Sequence, residues 1–90
     1  MKKVIRQYSA KALKNLQALD KQTANRIVTK IKTYSENSNP LEKAKRLSGI
    51  LSGLYRYRVG DYRVIFEVNS EGVVIILTIL NIKHRKDIYK

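Results

Sequence analysis

Cysteine is absent from this 90-residue chain, so neither a disulfide framework nor a cysteine-based metal site can be built. Its absence fits a reducing cytoplasm. Histidine occurs once, at His84, and the seven carboxylates are scattered without a pair at metal-ligand spacing. No Ser/His/Asp set can be argued around one histidine, and no glycine-rich phosphate loop is present. These absences leave no metal or other cofactor to expect. The longest apolar run, VVIILTILNI from Val73, falls far short of the about 20 residues of a membrane helix. At the start, MKKVIRQYS, Arg6 and Gln7 interrupt any apolar stretch, which argues against a signal peptide.

Against these absences stands an excess of one charge. Nineteen lysines and arginines give a formal net charge of +12, spread along the whole length rather than gathered in a tail. Such an excess repels itself and favours a polyanionic partner: nucleic acid, an anionic membrane or an acidic protein. Ninety residues make one domain, 1–90, with no room for a second core.

Val4 to Tyr8 suits a short opening strand. Ser9 then serves as a helix N-cap before AKALKNLQAL, with Leu13, Leu16 and Leu19 on one stripe. Asp20 caps a second helix in which Ala24, Ile27, Val28, Ile31 and Tyr34 recur at amphipathic spacing. SENSNP ends it, since Pro40 bars continuation. The segment PLEKAKRLSG predicts a helical turn, anchored to the core by Leu47, Ile50 and Leu51. Two antiparallel runs follow, then the strand from Val73, expected to be buried on both faces. Helices first and strands after define an α+β layer fold, a helical hairpin covering one face of the sheet.

The stretch YRYRVGDYRV, from Tyr55, alternates ring and guanidinium on both sides of Gly60-Asp61. Alternation predicts strands with two unlike faces, and the Gly-led pair predicts a two-residue hairpin loop of type II′. Val59 then lies opposite Tyr62, Arg58 opposite Arg63 and Tyr57 opposite Val64. Tyr55, Tyr57, Val59, Tyr62, Val64 and Phe66 share the face that meets the helices. The other face sets Arg58 against Arg63, with Arg56 beside them, although like charges opposed across a ladder are unfavourable.

An exposed basic strand face is ordinarily just a solvated surface, and Glu67 on that face can offset Arg56. The opposed pair and the global charge argue instead for phosphate, which guanidinium groups bind bidentately. His84, between Lys83 and Arg85, is expected to be exposed and suited to proton transfer. Tyr89 serves equally well as a packing residue. Tyr55, Tyr57 and Tyr62 can stack on bases, but their pairing with Val and Phe favours the core. Together these groups suit one reaction. RNA is cut without a metal when its own 2′-hydroxyl attacks the adjacent phosphorus, and preorganised cations stabilise the crowded phosphorane. DNA lacks that internal nucleophile.

SAKALKNLQAL, a second basic helix, LSGLYRYRVGDYRVIFEV, a hydrophobic strand and a final KHRKDIY closely resemble the RelE/ParE superfamily of bacterial toxin–antitoxin toxins, over essentially the whole chain. The resemblance implies a RelE-like fold, an N-terminal helical hairpin on a mainly antiparallel sheet of about four strands. For the RelE branch it implies a small cytoplasmic ribonuclease that cuts messenger RNA, often in the ribosomal A site. A co-expressed antitoxin, offering an acidic and apolar segment, would silence it in a heteromeric complex. Arg56 and Arg58 match strand residues that face the scissile phosphate, and Arg63 matches the arginine that contacts it. His84 and Arg85 match the tail's HR, and Tyr89 its terminal tyrosine, an acid/base or base-stacking group. Lys83 stands where relatives often carry glycine, and with Lys86 it is expected to bind RNA. Which group acts as general base stays open. The ParE branch poisons DNA gyrase instead and generally lacks the complete basic-plus-His/Tyr set. A nucleic-acid-binding domain without catalysis is the remaining alternative.

Overall fold

The computed structural model describes residues 3–88. Strand β1 (Lys3–Tyr8) leads into two helices, α1 (Ala10–Gln17) and α2 (Lys21–Ser35). Each helix starts where a side chain satisfies a backbone donor that has no partner inside the helix. Ser9 Oγ accepts the Ala12 N–H at 3.0 Å, and Asp20 Oδ2 accepts the Thr23 N–H at 3.1 Å. Ala12, Ile27 and Ile31 are fully buried, and Leu16, Leu19 and Tyr34 pack at the margin of the core. Leu13 and Val28 point past that margin and stay exposed.

After Pro40 the expected helical turn is limited to two i→i+3 bonds, the Glu42 N–H donating to the Asn39 carbonyl and the Ala44 N–H to the Leu41 carbonyl, each at 3.0 Å. Ala44–Arg46 is instead a short edge strand, β2, followed by a single 3-10 turn at Gly49–Leu51. It pairs antiparallel with strand β3 (Tyr55–Val59), Lys45 lying opposite Arg56. The bare edge of β3 offers hydrogen bonds that outweigh the weak helical preference of so short a segment. Of the expected anchors only Leu47 is half-buried. Ile50 is wholly exposed at 103% and Leu51 is exposed, while Leu41 and Ala44 pack on the core instead.

Strands β4 (Tyr62–Glu71) and β5 (Val74–His84) and a terminal turn of helix, α3 (Arg85–Ile88), complete the chain. The sheet has five strands rather than about four, in the order β1-β5-β4-β3-β2. All pairs are antiparallel except β1 with β5, which run parallel from Lys3↔Val74 to Tyr8↔Ile79. The hairpin register is the one the alternation predicts, with Val59↔Tyr62, Arg58↔Arg63 and Tyr57↔Val64. Gly60 has φ +59 and Asp61 does not share it, the combination a type II′ loop requires.

Tyr57, Val59, Val64, Phe66, Leu77, Ile79 and Ile82 line the helix-covered face and form the core with Ile27 and Ile31. Tyr57 sits at its centre, its ring 4.3 Å from Phe66 and 5.3 Å from Tyr34. Its hydroxyl donates to the Pro40 carbonyl at 2.6 Å, and burial pushes the phenol up to about 12. β5 is buried on one face only. Its outward Ile76 and Thr78 are half-covered by the strands on either side, because the helices lie on the other face.

One irregularity governs the far end of the sheet. Ile65 pairs with Asn81 but Phe66 with Ile79, so Leu80 is an extra residue in β5. Helix α1 satisfies the groups this bulge disturbs. Ser9 Oγ donates to the Leu80 carbonyl at 2.9 Å, and Asn15 Oδ1 accepts the Ile82 N–H at 2.9 Å.

Candidate nucleic-acid interface

The face left uncovered by the helices carries like charges in register. Arg63 on β4 lies between Arg58 on β3 and Lys83 on β5, directly opposite both. One step away, Arg56 lies opposite Lys45 of β2. Each cross-strand pair of like charge is unfavourable by some tenths of a kcal/mol, on the order of 0.2–1. Three such pairs side by side give this face a dense positive charge.

The ladder ends in a cleft of ≈ 160 Å³ lined by Arg58, Gly60, Asp61, Tyr62, Arg63 and Arg85. Three guanidinium groups thus share the recess with one carboxylate. Arg85 reaches it because its backbone N–H donates to the Asp61 carbonyl at 2.7 Å, which ties the start of α3 to the hairpin loop. Gly60 lets the loop lie close to the Arg26 guanidinium, which a Cβ would meet at 3.3 Å. Farther along the ladder, burial and then repulsion from Arg58 and Arg63 hold the Arg56 guanidinium below its ordinary pKa. A phosphate in this cleft would relieve that repulsion and accept bidentate hydrogen bonds.

Of the residues singled out from the sequence, Arg56, Arg58, Arg63, Lys83 and Arg85 come together on this face and its end. His84 does not. It lies opposite Tyr62, on the helix-covered side, half-buried rather than exposed. Its ring meets the Tyr62 ring edge-on, with centroids 5.0 Å apart at 88°. Its Nδ1 accepts the Lys86 N–H at 3.1 Å, while the Lys86 side chain is exposed. Tyr89 lies outside the described residues. Lys45 is the basic residue that sequence reasoning missed. Only the pairing of β2 with β3 brings it to the patch, and that pairing is non-local. Among the described residues, no three His, Cys, Asp or Glu side chains cluster as metal ligands would.

Residues 7–89 match the family described as ParE toxin of type II toxin–antitoxin system, parDE. Solved structures agree. A chain of the archaeal RelE–RelB complex from Pyrococcus horikoshii is 34% identical over 94% of this chain and 97% of its own, with a TM-score of 0.66. A chain of the RelB–RelE antitoxin–toxin complex from Methanococcus jannaschii is 29% identical, over 92% and 94%, with a TM-score of 0.65. A chain of the RelBE2 toxin–antitoxin complex from Mycobacterium tuberculosis shares the fold at a TM-score of 0.75 and 24% identity, over 94% of both chains. A search of curated protein sequences returned no match. The fold is that of a toxin from a toxin–antitoxin system. The chain belongs to the ParE toxin family, within the RelE/ParE superfamily.

Proposed function

We propose that this toxin is a metal-independent endoribonuclease that cuts messenger RNA on the ribosome and so blocks translation. The carrying observation is the Arg58–Arg63–Lys83 row, with Arg85 closing the cleft at its end. The substrate's 2′-oxygen attacks the adjacent phosphorus and the bond to the 5′-oxygen breaks, leaving a 2′,3′-cyclic phosphate and a 5′-hydroxyl. Negative charge gathers on the non-bridging oxygens during that step. Arg58, Arg63 and Arg85 hold the phosphate and stabilise that charge, with Arg56, Lys45 and Lys83 carrying the flanking backbone. One proton must leave the 2′-hydroxyl and one must reach the 5′-oxygen. The resemblance assigns the tail to this task, and Tyr89 is the candidate, since the chain's one imidazole stands on the other face of the sheet. Such a target places the chain's action in the cytoplasm.

The RelE structures it resembles were solved with RelB antitoxins. This toxin is accordingly held silent by a partner that lays an acidic segment against the basic face and apolar residues beside it. Opposite charge speeds such an encounter and makes it sensitive to salt.

Primer extension on a translated message, in cells expressing the chain alone, tests the reading. Cleavage within codons is expected for the wild type, with pulse-labelled protein synthesis falling before DNA synthesis. Arg63→Gln should abolish both effects. The match to the ParE family favours a second reading, a gyrase poison without nuclease activity. Intact message with inhibited supercoiling would select it.

A further inference from the structure

The tip of the β3–β4 hairpin lies between two groups of cations. Gly60 lines the arginine cleft. From the helix side, α2 brings the Arg26 guanidinium against the same residue. Its Nη2 lies 3.3 Å and its Cζ 3.8 Å from where a Cβ on Gly60 would stand. Gly60 thus touches both, with no side chain to wall one from the other.

Arg26 is exposed, and so is Lys30 one turn farther along α2. An (i, i+4) pair shares one face of a helix, with Cβ atoms about 5–6 Å apart. The residues three or four positions from Arg26 are Gln22, Thr23, Thr29 and Lys30, so no carboxylate on its own helix neutralises it. Lys30 keeps its ammonium over the Tyr34 ring, 5.9 Å from the centroid. Asp61, the carboxylate of the loop, lines the cleft. Two like charges a turn apart repel each other, as the cross-strand pairs do. The positive surface of the cleft therefore continues around the hairpin tip and onto α2.

We infer that Arg26 and Lys30 form a second phosphate subsite, onto which the RNA strand passes as it leaves the cleft. The inference rests on the RNA-cleaving reading above and adds the path of the strand. A scissile phosphate has backbone on both sides. One flank runs over the uncovered face toward Arg56 and Lys45. The other crosses Gly60, where no side chain blocks it, and lays its next phosphates on Arg26 and then Lys30. Arg26 offers a planar fork of donors there and Lys30 a point charge. Contacts of this kind fix the register of the strand and carry no base identity.

The test is binding of the full chain to inorganic phosphate, to a 2′-O-methyl RNA dinucleotide and to a 2′-O-methyl hexanucleotide, at several salt concentrations. Methylation removes the attacking hydroxyl, so neither RNA is cut. The hexanucleotide should bind more tightly than the dinucleotide and lose affinity more steeply with salt. Arg26→Gln should weaken the hexanucleotide about two- to fivefold, the range of an exposed ion pair, and lower its log–log salt slope by about 0.7. Affinity for phosphate and for the dinucleotide should stay unchanged. Arg26→Lys keeps the charge and should keep the slope. Lys32→Gln removes a charge from α2 a third of a turn away around the helix axis and should leave the slope as it is. A hexanucleotide bound no better than the dinucleotide, an unchanged slope in Arg26→Gln, or the same loss in Lys32→Gln would overturn the subsite and leave the cleft standing. Equal weakening of all three ligands by Arg26→Gln would reduce Arg26 to a prop for the loop and overturn it too. A chain that binds neither phosphate nor either RNA would overturn the subsite and the RNA-cleaving reading together.

Discussion

Replacing Arg63 with glutamine should make the toxin more stable and nearly inactive. Arg63 faces a basic partner on each side, Arg58 on β3 and Lys83 on β5, so the substitution relieves two repulsive pairs at once. Such pairs range over roughly 0.2–1 kcal/mol each. Arg58 and Lys83 are exposed to water, which puts both pairs at the low end, for a total near ~0.5 kcal/mol. For a domain of this size that is a rise in melting temperature of about 2–4 °C. The gain should shrink in 1 M salt, where the screening length falls to about 3 Å. Lys83→Gln relieves only one of the two pairs and should give about half the gain. Cleavage should drop by on the order of 10²–10³, as loss of one preorganised donor does in other enzymes. The assays are a urea melt at two ionic strengths and single-turnover cleavage of a translated message. Destabilisation by 1 kcal/mol or more with cleavage retained would make Arg63 a structural residue and refute the reasoning.

Three further outcomes follow from the fold. Tyr57→Phe leaves the Pro40 carbonyl unpaired in the core and should cost about 1–3 kcal/mol in a thermal melt, with phosphate affinity at the cleft unchanged. The Tyr57 phenol is raised to about 12 when folded, so unfolding releases its proton at a lower pH. Stability should therefore fall as pH climbs from about 10 to 12, and the Phe variant should lack that part of the slope. Gly60→Ala should cost about 1–2 kcal/mol, since φ is +59 and the new methyl would press on the Arg26 guanidinium, as a urea melt would register. The Asp20 carboxyl is held below its usual range, first by the Thr23 hydroxyl and then by the Thr23 N–H. Its contribution is complete above the ordinary carboxylate pKa of about 3.9 and disappears as pH falls through the lowered value, so Asp20→Asn should flatten the acid limb of a pH-stability profile.

Local signals were legible in the sequence wherever a short stretch decides its own structure. Ser9 and Asp20 announce the helix starts, and YRYRVGDYRV carries its own turn, register and faces. The opposed Arg58 and Arg63 needed nothing beyond alternation. Long-range pairing was not legible. Ala44–Arg46 has no strand signal of its own and becomes β2 only because β3 leaves an edge bare. Lys45 enters the cationic patch by that route. The apolar look of VVIILTILNI suggested burial on both faces, yet half of its side chains are covered only by flanking strands.

The placement of His84 turns on a single extra residue. With strict alternation through β5, Leu77 and Ile79 inward would carry Asn81 and Lys83 inward too, and His84 outward toward the arginines. That arrangement would bury an ammonium and expose Ile82. The bulge at Leu80 reverses the order. Ile82 is 5% exposed, Lys83 faces solvent and His84 turns toward α1. Burying Ile82 instead of Lys83 favours the bulge by more than the ladder bond it disturbs, because an unpaired buried ammonium is among the costliest groups in a fold. The expected observation is a set of NMR contacts from the His84 ring to the Tyr62 ring and the Leu19 methyls. Contacts to the Arg63 side chain instead would put the imidazole beside the phosphate and restore it as a proton carrier at the cleft.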